Sequence, residues 1–203
     1  MSSSSRKARD RGAQTDHVVM WKPCSEPGLE HLTLRVSSEE IIADGVVIGV
    51  ELGQPFRMQY TVRCDRTFTV RSVEIACNPR LLRRLVLHHD GSGNWTDSGG
   101  APLLGLRGCM DVDISVSPFT NTLPIRRLGI KPGESAEINV VYIEVPGLEP
   151  SSERQRYTCL DASSGATRYR YESLVSGFSA DLQVDREGLV TRYADVFERV
   201  WPA

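Results

Sequence analysis

Apolar and polar residues alternate one by one along much of the chain. The clearest run is "FRMQYTVRC" at residues 56–64, whose apolar positions are Phe56, Met58, Tyr60, Val62 and Cys64. Successive side chains of a strand point to opposite faces, so this period of two predicts a strand with one buried face. Similar short runs, separated by proline and glycine, continue to the end of the chain and predict a mainly β protein.

Bulges and hairpins can be placed within these runs. In "FTVRSVEIAC" (68–77) the apolar set changes parity near Ser72, which indicates a bulge or sharp twist. The "DGSGNW" and "DREG" segments each lie between two extended runs and predict hairpin turns. The run "SAEINVVYIEV" (135–145) is apolar on both faces, which is typical of a central or doubly covered strand.

Only two stretches have helical spacing. One is "NPRLLRRL", and the other is "YADVFERVW" (193–201), where Tyr193, Val196, Phe197 and Val200 follow the i, i+3, i+4, i+7 pattern. The sequence therefore predicts a single-domain, mainly antiparallel sandwich, roll or barrel-like sheet with one or two short helices. We expect residues 1–17 to be a disordered tail and residues 18–203 to form the domain.

The segment "CMDVDISVSPFTNTLPIRR" (109–127) carries the most suggestive chemistry. Asp111 and Asp113 share one face of a predicted strand, with Cα atoms roughly 6.5–7 Å apart. That spacing is near the carboxylate separation of inverting glycosidases, and it also suits a hard cation or the hydroxyls of a sugar. A solvent-facing polar stripe explains the same pattern without any function.

A polar loop between two prolines is expected after this strand. It supplies Thr120 and Asn121 and ends in Arg126 and Arg127. Arginine is suited to forked hydrogen bonding with carboxylate or phosphate. The two arginines could therefore bind a ligand, or they could pair with the aspartates and neutralise them.

Tyrosine alternates with arginine in "RQRYT" (154–158) and "RYRYESL" (168–174). Such alternation can stack nucleic-acid bases, but a net charge of -2 gives no pull on nucleic acid. A tyrosine row inside a roll would suit a ligand that is partly sugar and partly alkyl. Because His88 and His89 are adjacent on a strand, they cannot converge on one metal ion.

Composition limits the remaining classes. No apolar run approaches the roughly 20 residues that cross a bilayer, and the N-terminus lacks the apolar core of an export signal. The five cysteines form no C-x-x-C pair, so we expect reduced thiols and a cytoplasmic location. No nucleotide-binding or hydrolase motif is present, and we assign no catalytic residue, no metal ligand and no cofactor.

The sequence resembles the glycolipid-binding family of bacterial proteins over most of the chain from Trp21. The resemblance is strongest in the "DVDISVSPFTNTLPIRR" run. It implies a spiral β-roll, similar to the carriers that move lipoproteins across the bacterial periplasm, and a glycolipid or other amphipathic small molecule as partner. Further matches are "GLEHL" (28–32), "PFRMQYTVRCD" (55–65), "GESAEINVVYIEVPGL" (133–148), "RQRYT" (154–158) and "YRYESLVSGFSADLQVDREGLV" (169–190).

Three hypotheses follow. The first is a non-catalytic binding protein, the second a hydrolase for a glycoside or ester that uses Asp111 and Asp113, and the third a structural protein without a small ligand. A cavity lined by apolar and tyrosine side chains would favour the first. The oligomeric state stays open. The candidate ligand-binding residues are Glu30, His31, Asp111, Asp113, Thr120, Asn121, Arg126, Arg127, Tyr157, Tyr171 and Glu172.

Overall fold

Fourteen strands hydrogen-bond side by side in one sheet. The structure is a computed structural model that describes residues 14–51, 53–78, 82–163 and 165–202. One α-helix, α1 (Thr122–Leu128), and two 3-10 helices, Leu104–Leu106 and Pro118–Asn121, complete the regular elements of these ranges. The strands are β1 (Thr15–Pro23), β2 (Gly28–Val36), β3 (Ile41–Glu51), β4 (Gln54–Cys64), β5 (Val70–Asn78), β6 (Arg83–His89), β7 (Trp95–Asp97), β8 (Asp111–Ile114), β9 (Ser135–Ile143), β10 (Pro150–Ala162), β11 (Thr167–Ser173), β12 (Ser179–Val184), β13 (Val190–Tyr193) and β14 (Phe197–Trp201).

The sheet consists of two antiparallel meanders joined in the middle. Its order is β7-β6-β5-β4-β3-β2-β1-β14-β13-β12-β11-β10-β9-β8, so the first and last strands of the chain are neighbours. Only β8 and β9 pair in parallel, since the helical segment between them provides the crossover that parallel neighbours need. The mainly β class is confirmed. β7 and β8 remain as two edges, so the sheet is not closed into a barrel.

The sheet curls around the segment that follows β8. Tyr60 lies on β4, and Ser117 follows β8 by three residues. The strands β4 and β8 are ten places apart in the sheet order, which would put them about 48 Å apart in a flat sheet. Their hydroxyl oxygens are nevertheless 3.3 Å apart. Residues from both halves of the sheet therefore enclose residues 118–125, and Phe119 and Leu123 are fully buried there.

The period-two predictions are confirmed where they were clearest. In β4 every residue of the apolar set is buried, and Tyr60 is 2% exposed. The bulge is confirmed as well, because Arg63 pairs with Ser72 while Cys64 pairs with Val70, which leaves Arg71 as the extra residue. Both hairpins form, between β6 and β7 and between β12 and β13. β9 is paired on both sides, although its first half is mostly exposed.

The prediction of a helix at residues 193–201 is wrong, because β13 and β14 pair there as a hairpin. Asp195 has a φ of 60°, and the Val196 amide donates to the Tyr193 carbonyl, so the helical spacing arises from a tight turn. In "NPRLLRRL", residues 79–81 lie outside the described residues, and Arg83–His89 is strand β6 rather than helix.

The segment predicted as a polar loop is helical. Pro118 begins the 3-10 helix, and Pro124 lies in the first turn of α1, where an amide has no partner within the helix and proline costs little. Gly129 ends the helix in the left-handed region with a φ of 56°. Arg126 and Arg127 occupy the last turn, where positive charge complements the helix dipole.

The N-terminal strand begins before the predicted domain boundary. β1 starts at Thr15 and pairs with β2, from Thr15 opposite Val36 to Trp21 opposite Glu30. Residues 15–17 of the predicted tail thus belong to the sheet, while residues 1–13 lie outside the described residues. The cysteines are free thiols, and only Cys24 is exposed.

Candidate functional site: a polar and an apolar cavity beside strand β8

Strand β8 is covered on both faces, so its polar stripe does not face solvent. Asp111 is fully buried, whereas Asp113 on the same strand is partly buried. Gly108, at a φ of 86°, and the 3-10 turn before it direct the chain into this interior strand. The two aspartates have different partners, and their roles differ accordingly.

Asp111 forms a buried ion pair with Arg127 of α1. The guanidinium donates two hydrogen bonds to the carboxylate, at 3.0 Å from Nε and 2.5 Å from Nη2. These bonds raise the pKa of Arg127, so the cation stays protonated. Burial raises the pKa of Asp111, and the hydrogen bonds and charge of Arg127 oppose that rise. The pair attaches α1 to the edge strand.

Asp113 is held by neutral donors. Gln155 on β10 donates from Nε2 to Oδ2 at 2.6 Å, and the Thr120 hydroxyl donates to Oδ1 at 3.1 Å. Burial raises the pKa of Asp113, and these two hydrogen bonds lower it. Neither partner carries a charge. The negative charge of an ionised Asp113 is therefore not neutralised by a neighbouring cation, unlike that of Asp111.

Asp113 lines a cavity of about 280 Å³, which we call the polar cavity. Glu153 of β10 shares it, and burial together with the charge of Asp113 raises the pKa of Glu153. Ring contacts link Tyr171, Phe178, Tyr193 and Phe197, at centroid distances of 6.1–6.4 Å along the series. The lining residues are Asp113, Ile114, Ser115, Ser117, Asn121, Tyr142, Glu153, Tyr171, Ser173, Ser176, Phe178, Tyr193, Val196 and Phe197.

A second buried carboxyl group lies close by on β2. Glu30 Oε1 accepts hydrogen bonds from the Tyr60 hydroxyl at 2.5 Å and from the Ser117 hydroxyl at 2.7 Å. Burial raises the pKa of Glu30 to about 7, against the lowering effect of those two bonds. Among the described residues, no group donates to Glu30 Oε2. Ser117 connects this network to the polar cavity.

Glu30 lines a neighbouring cavity of about 180 Å³, which we call the apolar cavity. It adjoins the polar cavity, because Ser115, Val196 and Phe197 line both. Its apolar lining comes from β1 to β4, from the turn before β2, from the segment after β8 and from around the start of β14, and consists of Pro23, Pro27, Leu29, Val47, Ile48, Val50, Phe56, Val116, Val196 and Phe197. Glu26 and Glu51 line this cavity as well as Glu30.

Of the eleven predicted site residues, four line these cavities and two more support a cavity wall. Asp113, Asn121 and Tyr171 line the polar cavity, and Glu30 lines the apolar one. Thr120 supports Asp113, as described above. Tyr157, which is 2% exposed, supports the site in the same way, because its hydroxyl donates to Asn121 Oδ1 at 2.9 Å. Thr120 and Tyr157 thus stabilise lining residues of the polar cavity without lining it themselves.

The other predicted residues lie elsewhere. Arg126 is exposed, donates to the Arg186 carbonyl at 3.3 Å and stacks on Phe68 at 4.9 Å, so it is not a partner of the aspartates. His31 is exposed on the opposite face of β2 from Glu30. Glu172 pairs with Arg156 at 3.5 Å on the opposite face of β11 from Tyr171.

Sequence reasoning missed the acidic and aromatic wall of the polar cavity. Glu153 and Gln155 have the same parity in β10 as the buried Tyr157, so strand periodicity could have found them. Tyr193 and Phe197 were assigned to a helix, which hid their place in the wall. Tyr142, Ser173 and Ser176 gave no signal of their own, because the curl of the sheet brings them in.

Metal clusters and membrane-spanning helices are two further features that the described residues lack. No group of three or more His, Cys, Asp or Glu side chains in the described ranges is placed to hold a metal ion. Both ring nitrogens of His89 are engaged, because Nδ1 donates to the Val70 carbonyl at 2.7 Å and Nε2 accepts from the Gly93 amide at 2.9 Å. No helix within the described ranges is long and apolar enough to cross a membrane.

Comparison with known proteins agrees with the sequence motifs. The fold is similar to the crystal structure of a DUF1089 family protein from Pseudomonas aeruginosa, with a TM-score of 0.75 and 36% sequence identity, covering 98% of this chain and 99% of that one. No curated protein matches the chain. Residues 18–199 match the family model described as "Putative glycolipid-binding". Because that match spans most of the fold and both cavities, the chain belongs to this family.

Proposed function

We propose that this protein binds one amphipathic molecule, with a sugar head group in the polar cavity and an alkyl chain in the apolar cavity, and does not transform it. The observation that carries the proposal is the shared wall of Ser115, Val196 and Phe197 between the cavities. At about 280 and 180 Å³, each cavity is smaller than a usual small-molecule site, whereas the two together fall within the range of roughly 300–1,000 Å³.

The chemistry of each wall supports this division. Carboxylate, amide and hydroxyl groups line the polar cavity and can exchange hydrogen bonds with sugar hydroxyls, while aromatic rings such as Tyr171 and Phe178 can cover the apolar face of a sugar ring. The apolar cavity offers aliphatic side chains and Phe56. Burying an alkyl chain there contributes about 0.8 kcal/mol for each CH₂ group removed from water.

The two alternative functions have less support. A hydrolase that uses Asp111 and Asp113 as acid and base requires both carboxyl groups at one substrate, but only Asp113 lines the polar cavity and Asp111 is bound to Arg127. A purely structural role explains the Asp111–Arg127 pair. A purely structural role does not explain why polar side chains, including the partly exposed Glu153, line the cavity.

The proposal is tested by isothermal titration calorimetry with dodecyl glucoside, octyl glucoside and free glucose. The two alkyl glucosides are kept below their critical micelle concentrations. We expect one dodecyl glucoside per chain, weaker binding of the octyl compound and no detectable binding of glucose, because the shorter tail buries fewer CH₂ groups. Replacing Leu29 in the apolar cavity, as Leu29→Trp, should abolish binding by filling the space.

Leu82→Trp is the matched control, because Leu82 is 57% exposed and should leave binding unchanged. Equal affinity for the octyl and dodecyl compounds would argue against the apolar cavity as the tail site. No binding of either amphiphile would refute the proposal. Free glucose released from dodecyl glucoside during incubation would contradict the non-catalytic role.

A further inference from the structure

Both cavities have acidic walls without a compensating cation. Asp113 and Glu153 line the polar cavity, and Glu30 lines the apolar one beside the shared wall. Among the described residues that line either cavity there is no lysine or arginine. The fixed charge that a ligand meets is therefore negative, and of the two alternatives for the arginines, ligand binding has no support from these linings.

The nearby arginines are already engaged. Arg127 donates both of its recorded hydrogen bonds to Asp111. Arg126 is exposed, contacts the Arg186 carbonyl and stacks on Phe68. Neither residue lines the polar cavity, so neither offers a forked contact to a phosphate or carboxylate bound there.

Glu30 adds an independent observation. It is 2% exposed, and its Oε2 atom has no hydrogen-bond partner among the described residues. A buried acceptor without a donor is costly, and a donor on the part of the head group nearest the tail would supply it, because Glu30 lies one hydrogen bond away from Ser117 of the polar cavity. An anionic group would instead be repelled by the lone pairs of Glu30 and by the negative charge of Asp113.

We infer that the head group bound by this protein presents hydrogen-bond donors and carries no negative charge, as a neutral sugar or an amino sugar does. This inference rests on the proposed function and narrows it. Phosphorylated, sulfated and carboxylated head groups are rejected because Asp113 and Glu153 repel them in a partly desolvated site, where like charges interact more strongly than in water.

The test uses three amphiphiles with the same dodecyl tail: the glucoside, the glucosaminide and the glucuronide. Titrations at about pH 8 lie above the ordinary pKa of a carboxyl group and above the pKa of about 7 of Glu30, which favours the ionised forms. We expect the glucoside and the glucosaminide to bind, and the glucuronide to bind at least about tenfold more weakly. Glu153→Gln should recover part of the glucuronide affinity, because it removes one repelling charge from a partly exposed position.

Glu149→Gln is the matched control, since Glu149 is exposed, precedes β10 and lies outside the lining of both cavities. It should leave the order of the three affinities unchanged. Glucuronide binding as tight as glucoside binding would overturn the inference and leave the proposed function standing. Failure of all three compounds to bind would overturn the proposed function, and the inference with it.

Discussion

At the scale of single residues, the interior holds two carboxyl groups in contrasting surroundings. Asp111 has a bidentate arginine as its partner, so its charge is compensated. Glu30 has only the hydroxyls of Tyr60 and Ser117, and its second oxygen has no partner among the described residues. Burial therefore dominates for Glu30 and raises its pKa to about 7.

Glu30 should make the protein less stable as pH rises. Its pKa is about 7 in the folded state against 4.5 as a free side chain, so the unfolded chain releases the proton first. The stabilisation from the protonated form is complete below about pH 4.5 and is lost as pH rises to 7. The loss amounts to about 3 kcal/mol.

Glu30→Gln should remove this part of the pH dependence and raise the free energy of unfolding at about pH 8 by roughly 1–3 kcal/mol. Urea denaturation of both proteins across this pH range measures the difference. Asp113 and Glu153, whose pKa values are also raised, contribute to both proteins alike, so the comparison isolates Glu30. If the free energies of unfolding of the two proteins changed with pH in parallel, Glu30 would not be the source of this pH dependence.

The ion pair of Asp111 and Arg127 should be much more important for stability than a surface pair. Asp111→Asn leaves the Arg127 charge partly buried without its counterion, and we expect a loss of about 3 kcal/mol in the free energy of unfolding. Asp161→Asn is the control, because the pair of Asp161 and Arg168 is about half exposed and should cost less than about 1 kcal/mol. Similar losses from both changes, measured by chemical denaturation, would contradict this ranking.

At the scale of elements, pairing between β3 and β4 places the residue that holds Glu30. Gly45 lies opposite Tyr60 in the ladder, and a Cβ atom at Gly45 would lie 2.1 Å from the Tyr60 ring. The glycine thus makes room for the ring to lie across β3, with its hydroxyl on Glu30 of β2. A missing side chain on β3 thus permits a hydrogen bond between residues of its two neighbouring strands, β4 and β2.

Gly45→Ala should displace the Tyr60 ring and lower the free energy of unfolding by about 1–3 kcal/mol. The expected spectroscopic change is increased solvent exposure of a tyrosine that is now 2% exposed, measured by ultraviolet difference absorption. Gly105→Ala is the control, because nothing lies within 4 Å of a Cβ atom there. An unchanged stability of Gly45→Ala would mean that the ring has another position of equal energy.

The elements also show where sequence reasoning was sufficient. Strict alternation predicted β4 because side-chain direction in a strand is a local property of the backbone. The helical segment Pro118–Leu128 was missed because proline is permitted at the start of a helix as well as in a loop. The hairpin of β13 and β14 was mistaken for a helix because a tight turn can imitate the helical period.

At the scale of the whole molecule, the curl of the sheet builds the two cavities. β14 pairs with β1 at the centre of the sheet, and Phe197 at its start meets Ser115 after the edge strand β8 in the shared wall. Residues more than 80 positions apart in sequence thus form the junction between the sugar and alkyl compartments of the proposed site. Contacts at such sequence separation depend on topology alone.

Phe197→Ala should widen the junction between the two cavities and weaken binding of dodecyl glucoside about tenfold, because an aromatic side chain that covers the ligand is lost. Longer alkyl chains should recover part of the affinity by filling the new space. Calorimetry with a series of tail lengths measures both effects. Trp201→Ala on the same strand is the control, since Trp201 is 57% exposed and outside the lining of both cavities; an equal loss there would argue against a role for the wall.

The sequence by itself determined many local properties of this protein: most of the strands, the bulge beside Ser72, the hairpin turns at 90–95 and 185–188, and the family to which the chain belongs. These follow from side-chain alternation, turn residues and motifs, which are readable along a single stretch of chain. Only the tertiary structure decided that Arg127 compensates Asp111 while Asp113 lines a cavity with Glu153. The partner of a buried charge is set by how distant strands meet when the sheet curls, and no local pattern encodes that meeting.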